Sequence, residues 1–294
     1  MSSSSEDPRK LIESSCKTND IATLTRVLEA SHDDPTLLNL ALLRSVSAGH
    51  ISFVRFVLEE KHMSASDLTP QSLSTQPTTE LLQLLVDHGF DINKPAETRR
   101  PGKGGYLLQR VCHDEELVKW CLEHGAKVNG IFTDPYSSPP LLQTVASLGT
   151  VPIFKLLLSK GAPLEGRILH VAAGNVGSRP GTDPDRGRFK VRMEMVRYLV
   201  EEVGLDVNEL DSEESMGNFW GTPLCYSAKN PFDEAEVVKF LLEKGADPYI
   251  KERMDEYHNA FSYAKEANNV KISEVLEEWK AKHNKESIEG SGLR

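Results

Sequence analysis

The sequence predicts an all-α solenoid, a stack of about eight helix-turn-helix units joined by β-turn fingers, on three observations. First, a segment ending in glycine recurs: LLVDHGFDIN at 84–93, CLEHGAKVN at 121–129, LLLSKGAPLE at 156–165, LVEEVGLDVN at 199–208 and FLLEKGADPY at 240–249. Second, its glycines (Gly89, Gly125, Gly161, Gly204 and Gly245) lie 36 to 43 residues apart, near the roughly 33-residue period of helix-pair repeats with insertions added. Third, short helices rich in small residues precede them, best seen in GTPLCYSAKN (221–230), RILHVAAGNV (167–176) and PPLLQTVASLGTV (139–151).

Glycine recurs because a helix must end in a left-handed residue before the chain turns, a conformation glycine adopts without steric cost. The first unit, about 9–33, keeps only the helical pattern of Leu11, Ile12, Cys16, Leu24, Val27 and Leu28, as an N-terminal cap would. The second, about 36–62, sets Gly49-His50 at the turn between its helices, with Val54, Val57 and Leu58 on the buried face. In the third, about 66–95, the first helix is degenerate (LTPQSLSTQ, interrupted by Pro77), and Leu81 to Val86 restores the second. Four further units cover about 104–130, 138–165, 166–210 and 220–250. The last, 258–282, mixes Glu277, Glu278 and Lys280 into its closing helix, as a terminal cap needs. Residues 1–8 are expected as a disordered tail and 283–294 as a flexible one, flanking a repeat domain at 9–282.

These strings resemble the ankyrin-repeat family, whose hallmark Thr-Pro-Leu-His-x-Ala-Ala opens the first helix of each unit. Thr222, Pro223 and Leu224 match it, as do Leu169, His170, Ala172 and Ala173 in the preceding unit. The physics agrees: Thr caps a helix, Pro is pre-set for its first turn, and alanines let neighbouring helices approach. The resemblance implies an L-shaped cross-section whose fingers and first helices line a concave groove. It also implies that His170 ties one repeat to the next by hydrogen bonds, a structural rather than a catalytic role.

Composition narrows the function classes. A net charge of −10 and a pI near 5.5 repel nucleic acid and anionic membranes, so no direct contact with either is expected. The basic run Arg9-Lys10 is too small for a DNA-binding arm, which disfavours a transcriptional co-regulator. The N-terminal MSSSSEDPRK lacks an apolar leader core, and no apolar run approaches the roughly twenty residues of a membrane span. A soluble cytoplasmic or nuclear monomer follows, with Cys16, Cys112, Cys121 and Cys225 as reduced thiols, since no two have the spacing of zinc ligands or redox pairs.

Few residues suggest chemistry. Cys112-His113-Asp114 would attract a search for a cysteine nucleophile, but adjacent helical residues point to different sides. Alignment with Ala-Ala of the motif buries Cys112 and leaves His113 and Asp114 at the open end of the first helix. Glu115-Glu116, Glu201-Glu202 and Glu277-Glu278 read as solvated faces, and Gly102-Lys103-Gly104-Gly105 lacks the rest of a phosphate-binding loop. His50, His88 and His124 fall in separate turns. No catalytic residue, metal or cofactor is expected.

Three stretches break the period and should carry specificity. They are the basic KPAETRRPGKGG between Asn93 and Tyr106, the insertion VGSRPGTDPDRGRFKVR between Asn175 and Met193, and the acidic finger DSEESMGNFW between Leu210 and Gly221. The expected function is a non-catalytic module or scaffold binding a partner protein. By the resemblance, its groove includes Arg44, Ser47, Arg110, His113, Thr144, Ser147, Asn175, Tyr226, Lys229 and Asn230. Arg99, Arg100, Arg110 and Lys229 would steer an acidic or extended segment, and Phe219 and Trp220 would anchor it. The alternative is an accessory protein or enzyme of a small-molecule pathway, with a ligand pocket under the 175–193 insertion.

Overall fold

The structure is a computed structural model. It describes residues 7–96, 105–128, 139–177, 181–183, 186–211, 221–232, 235–252 and 257–291, with backbone alone from 285 onward. The described residues form fifteen α-helices and no strand, in two compact units divided between Gly130 and Ile131.

In the first unit, α1 (Pro8–Thr18) and α2 (Ile21–Ala30) form one antiparallel pair, and α3 (Pro35–Ala48) packs on both. Asp7, Asp20 and Asp34 cap these helices, their carboxylates accepting backbone N–H groups of the first turn. Residues 7 and 8 thus start α1, although the sequence suggests a tail through residue 8: an aspartate followed by proline is a strong helix start. Helix α4 (Ile51–Arg55) runs into a π-helical turn, Phe56–Glu60. The degenerate third unit has a single 3-10 turn, Pro70–Ser72, where its first helix should be, followed by α5 (Thr79–Asp87). Next comes the pair α6 (Leu107–Arg110) and α7 (Glu115–Glu123).

The second unit holds four pairs: α8 (Leu141–Leu148) with α9 (Val151–Ser159), α10 (Ile168–Gly174) with α11 (Gly187–Glu201), α12 (Pro223–Lys229) with α13 (Ala235–Glu243), and α14 (Ala260–Glu266) with α15 (Val270–Ser291). The shorter helices α8, α10, α12 and α14 pack side by side in that order. Close approach needs small residues: a Cβ on Gly174 would stand 3.2 Å from Cβ of Tyr226 on the next helix. Thr222 caps α12 through Cys225 N–H and Pro223 occupies its first turn. Helix α15 continues to Ser291, through the stretch expected as a flexible tail, because no helix-breaking residue occurs after Val270 until Gly290.

All five recurring glycines have positive φ, from 78° to 95°. At Gly89, Gly125, Gly161 and Gly245 the next residue's N–H returns to the carbonyl five positions back, as in Ala246 to Leu241 at 2.9 Å. Gly204 differs, because LVEEVG holds one extra residue: Leu205 N–H reaches six back, to Leu199, at 3.0 Å. The loops between pairs are closed at their bases by backbone bonds, Ala96 N–H to Gly105 O, Asp211 N–H to Gly221 O and Glu252 N–H to His258 O.

Candidate interaction surface

Asn93 and Asn208, four residues after Gly89 and Gly204, each reach the next glycine turn. Asn93 Nδ2 donates to Gly125 O at 3.0 Å while its Oδ1 accepts Lys127 N–H at 2.9 Å. In the second unit Asn208 does the same to Gly245 O, 3.0 Å, and Asp247 N–H, 2.8 Å. A side-chain amide has one donor end and one acceptor end, so it can satisfy both groups of a turn at once.

A second ladder lies where each short helix ends. Asn175 Nδ2 donates to Ser147 Oγ at 2.9 Å and also to Val171 O. Asn230 Nδ2 donates to Gly174 O at 2.6 Å, and Asn269 Nδ2 to Asn230 O at 3.1 Å. Asn175, Ser147 and Asn230, expected as groove contacts, therefore hold consecutive units together. Thr144 bonds back to Pro140 O at 3.3 Å within its own helix.

Tyr226, also expected in the groove, is only 4% exposed. Its hydroxyl donates to Asp211 Oδ2 at 2.7 Å and accepts from Arg167 Nη1 at 2.8 Å. Burial, then the bond to Asp211, push the phenol above its ordinary range. Asp211 also accepts Gly221 N–H at 3.1 Å, so one buried carboxylate closes the loop base and anchors Tyr226. His170 stands edge-on to Tyr226, 5.2 Å between ring centroids, and its Nε2 donates to Glu209 O at 2.9 Å. The hydrogen bond therefore stays within the unit 166–210, and it is the ring contact to Tyr226 that reaches the next unit. Burial holds its imidazole below the ordinary value, that is, neutral.

Arg110 extends back to the degenerate unit, donating to Leu73 O at 3.0 Å and Ser74 O at 3.3 Å. Those carbonyls follow the single 3-10 turn and have lost the helix that would have satisfied them. Lys229 places its ammonium over the Tyr263 ring at 4.6 Å. Arg99, Arg100, Phe219 and Trp220 lie outside the described residues. On the inner helices of the first unit, Arg44 pairs with Glu13 at 2.6 Å beside Ser47. The triplet after Val111 separates: Cys112 is buried, with its thiol pushed up to about 12 by burial, Asp114 caps α7 through Leu117 N–H, and His113 is exposed.

Sequence reasoning missed several of the exposed hydrophobic side chains of the second unit: Leu148, Val191, Phe232 and Val270 stand out with Leu164, Tyr249 and Tyr257. It also read the start of α11 only as part of an insertion. Asp183 caps that helix through the amides of Arg188 and Phe189, and Arg192 Nη1 donates to Asn175 O and Gly177 O. An apolar residue within two positions of a helix-end Ser or Asn, as at Leu148, Phe232 and Val270, was the available signal, but it is indistinguishable in sequence from core periodicity.

Successive helix pairs, left-handed glycine turns and side-chain clasps between neighbours define a stacked-repeat protein. The ankyrin-repeat family model matches residues 221–253, the unit that carries Thr222-Pro223-Leu224. The chain is also similar to a solved structure, the crystal structure of the human ASB11 ankyrin repeat domain. Identity is 18%, the match covers 81% of this chain and 96% of that one, and the TM-score is 0.54. No curated protein sequence matches the chain. Residues 221–253 thus carry an ankyrin repeat, and the fold of an ankyrin-repeat domain extends over 81% of the chain.

Proposed function

We propose that the chain is a non-catalytic interaction module that holds a partner protein on its short-helix and loop surface. Ankyrin-repeat domains are typically of this kind. The observation that carries the reading here is the division of labour among side chains. Asn93, Asn175, Asn208, Asn230 and Asp211 are spent on holding units together, whereas Leu148, Phe232 and Val270 are exposed beside the clasps of the second unit. Burial keeps Cys112 and Cys121 as thiols, unsuited to attack. His113 and Lys229 remain proposed contacts, and Arg99, Arg100, Phe219 and Trp220 proposed loop contributors. The compartment is proposed as cytoplasm or nucleus, consistent with four free buried cysteines. No helix among the described residues is long and apolar enough to cross a membrane.

Affinity purification of the full chain from its native cell, followed by size-exclusion chromatography, tests the reading. A protein that stays with the chain in fixed stoichiometry is expected. A chain that emerges alone under mild cross-linking conditions overturns it.

A further inference from the structure

Three bonds fix the ends of the short helices of the second unit side by side: Asn175 to Ser147, Asn230 to Gly174, and Asn269 to Asn230. Each clasp has an exposed apolar neighbour in sequence. Leu148 follows Ser147 and is 59% exposed, Phe232 lies two residues beyond Asn230 and is 41% exposed, and Val270 follows Asn269 and is 67% exposed. Because the clasps hold their neighbours in register, these side chains recur along one edge of the stack. Scattered exposed apolar residues need no explanation, whereas a row in register with the repeat does.

The unit between Leu148 and Phe232 contributes charge instead. Residues 183–192 hold four cations and two carboxylates in a chain of net charge −10. Asp183 is turned inward, accepting the amides of Arg188 and Phe189, and Arg192 holds the carbonyls of Asn175 and Gly177. Arg186 lies over the Phe189 ring at 4.0 Å and pairs with Glu236 at 3.4 Å. Arg188 and Lys190 are exposed on the first turn of α11, with Val191 beside them. Among the described residues the edge is thus apolar at both ends and basic in the middle.

We propose that this turn edge is the docking surface, and that its occupant is an extended acidic segment of a partner protein. Apolar side chains of that segment sit on Leu148 at one end and on Phe232 and Val270 at the other, and carboxylates between them face Arg188 and Lys190. Apolar contact supplies the affinity, while the local cations orient the segment and exclude basic competitors, which the rest of the acidic chain attracts. This rests on the reading of the chain as a protein-interaction module and names the surface and the chemistry of its ligand.

The test is panning of a displayed random-peptide library against the full chain, followed by fluorescence anisotropy of selected peptides with the wild type, L148S/F232S, K190E and R188E/K190E. Lys190 carries no clasp, so K190E separates binding from folding, and thermal unfolding checks the others. The expected peptides combine Asp or Glu with apolar residues. Their binding weakens at least about tenfold in R188E/K190E and in L148S/F232S, less in K190E, and falls with added salt. Peptides of no acidic bias, or binding unchanged in all three variants, overturn this surface while leaving the interaction module in place. If no peptide is selected and no partner co-purifies with the chain, both readings fall.

Discussion

Asn208 holds the turn of Gly245 at both ends of its carboxamide, donating to the glycine carbonyl at 3.0 Å and accepting Asp247 N–H at 2.8 Å. Asn93 makes the equivalent pair of bonds at Gly125 and Lys127. The recurrence in two separate units marks the clasp as a framework element. Asn208→Ala should destabilise the second unit by about 1–2 kcal/mol, and Asn208→Asp by at least as much, because a carboxylate cannot donate to the carbonyl. Urea unfolding followed by circular dichroism measures this. Equal midpoints for wild type and Asn208→Asp would show that the clasp carries no stability.

Arg110 provides a contrast between structure and recognition. It supplies donors to the carbonyls of Leu73 and Ser74, so Arg110→Ala should lower the stability of the first unit by about 1–3 kcal/mol. Both bonds leave the single Nη2, so Arg110→Lys, whose ammonium also has several donors but a shorter reach, should recover only part of the loss. A partner-contact residue would behave in the opposite way, weakening binding with unchanged unfolding.

Burial keeps His170 neutral, below its ordinary value of 6.5. The unfolded chain therefore takes up a proton first as pH falls. The stabilisation is complete above about 6.5 and declines as pH drops through that value toward the folded one. Between about pH 7.5 and 5.5 the urea midpoint should fall, and His170→Gln should flatten the slope. Asp20, Asp34, Asp183 and Glu201, held below their ordinary ranges mainly by hydrogen bonds, lose their contributions only at lower pH. Glu209, raised by burial, acts with the opposite sign. A slope that survives His170→Gln would reassign the effect.

The four cysteines are buried and unpaired with one another, and burial pushes Cys112 and Cys121 up to about 12. A thiol reagent at pH 8 should therefore modify the native chain only as fast as the chain opens, with rates rising in parallel with urea unfolding. Rapid stoichiometric labelling of Cys112 in the folded chain would restore it as a candidate nucleophile.

The repeat was legible because its determinants are local. A left-handed turn requires Gly89 or Gly245 at a fixed distance from an apolar helix face, and a capping Thr222 before Pro223 announces a helix start. The burial of His170 was legible for the same reason, through the motif around it, whereas its bond to Glu209 within its own unit was not. What could not be read is where polar groups point once units meet. Tyr226 lies at a groove position by alignment, but Asp211, fifteen residues earlier, draws its hydroxyl into the interior. Asn175 and Asn230 looked like surface amides, and only the spacing between neighbouring helices shows that they reach Ser147 and Gly174. Arg110 illustrates the same limit: its partners exist because the preceding unit lost a helix.

Site-specific photo-cross-linking in the native cell gives the most direct test of recognition by the second unit's turn edge. A benzophenone amino acid would replace Leu148 or Phe232, and as a control Lys155, which lies on α9 and pairs with Glu202 at 2.8 Å. The same partner protein cross-linked from positions 148 and 232, and absent from 155, is the predicted result. Capture of that partner from 155 but from neither edge position would contradict it.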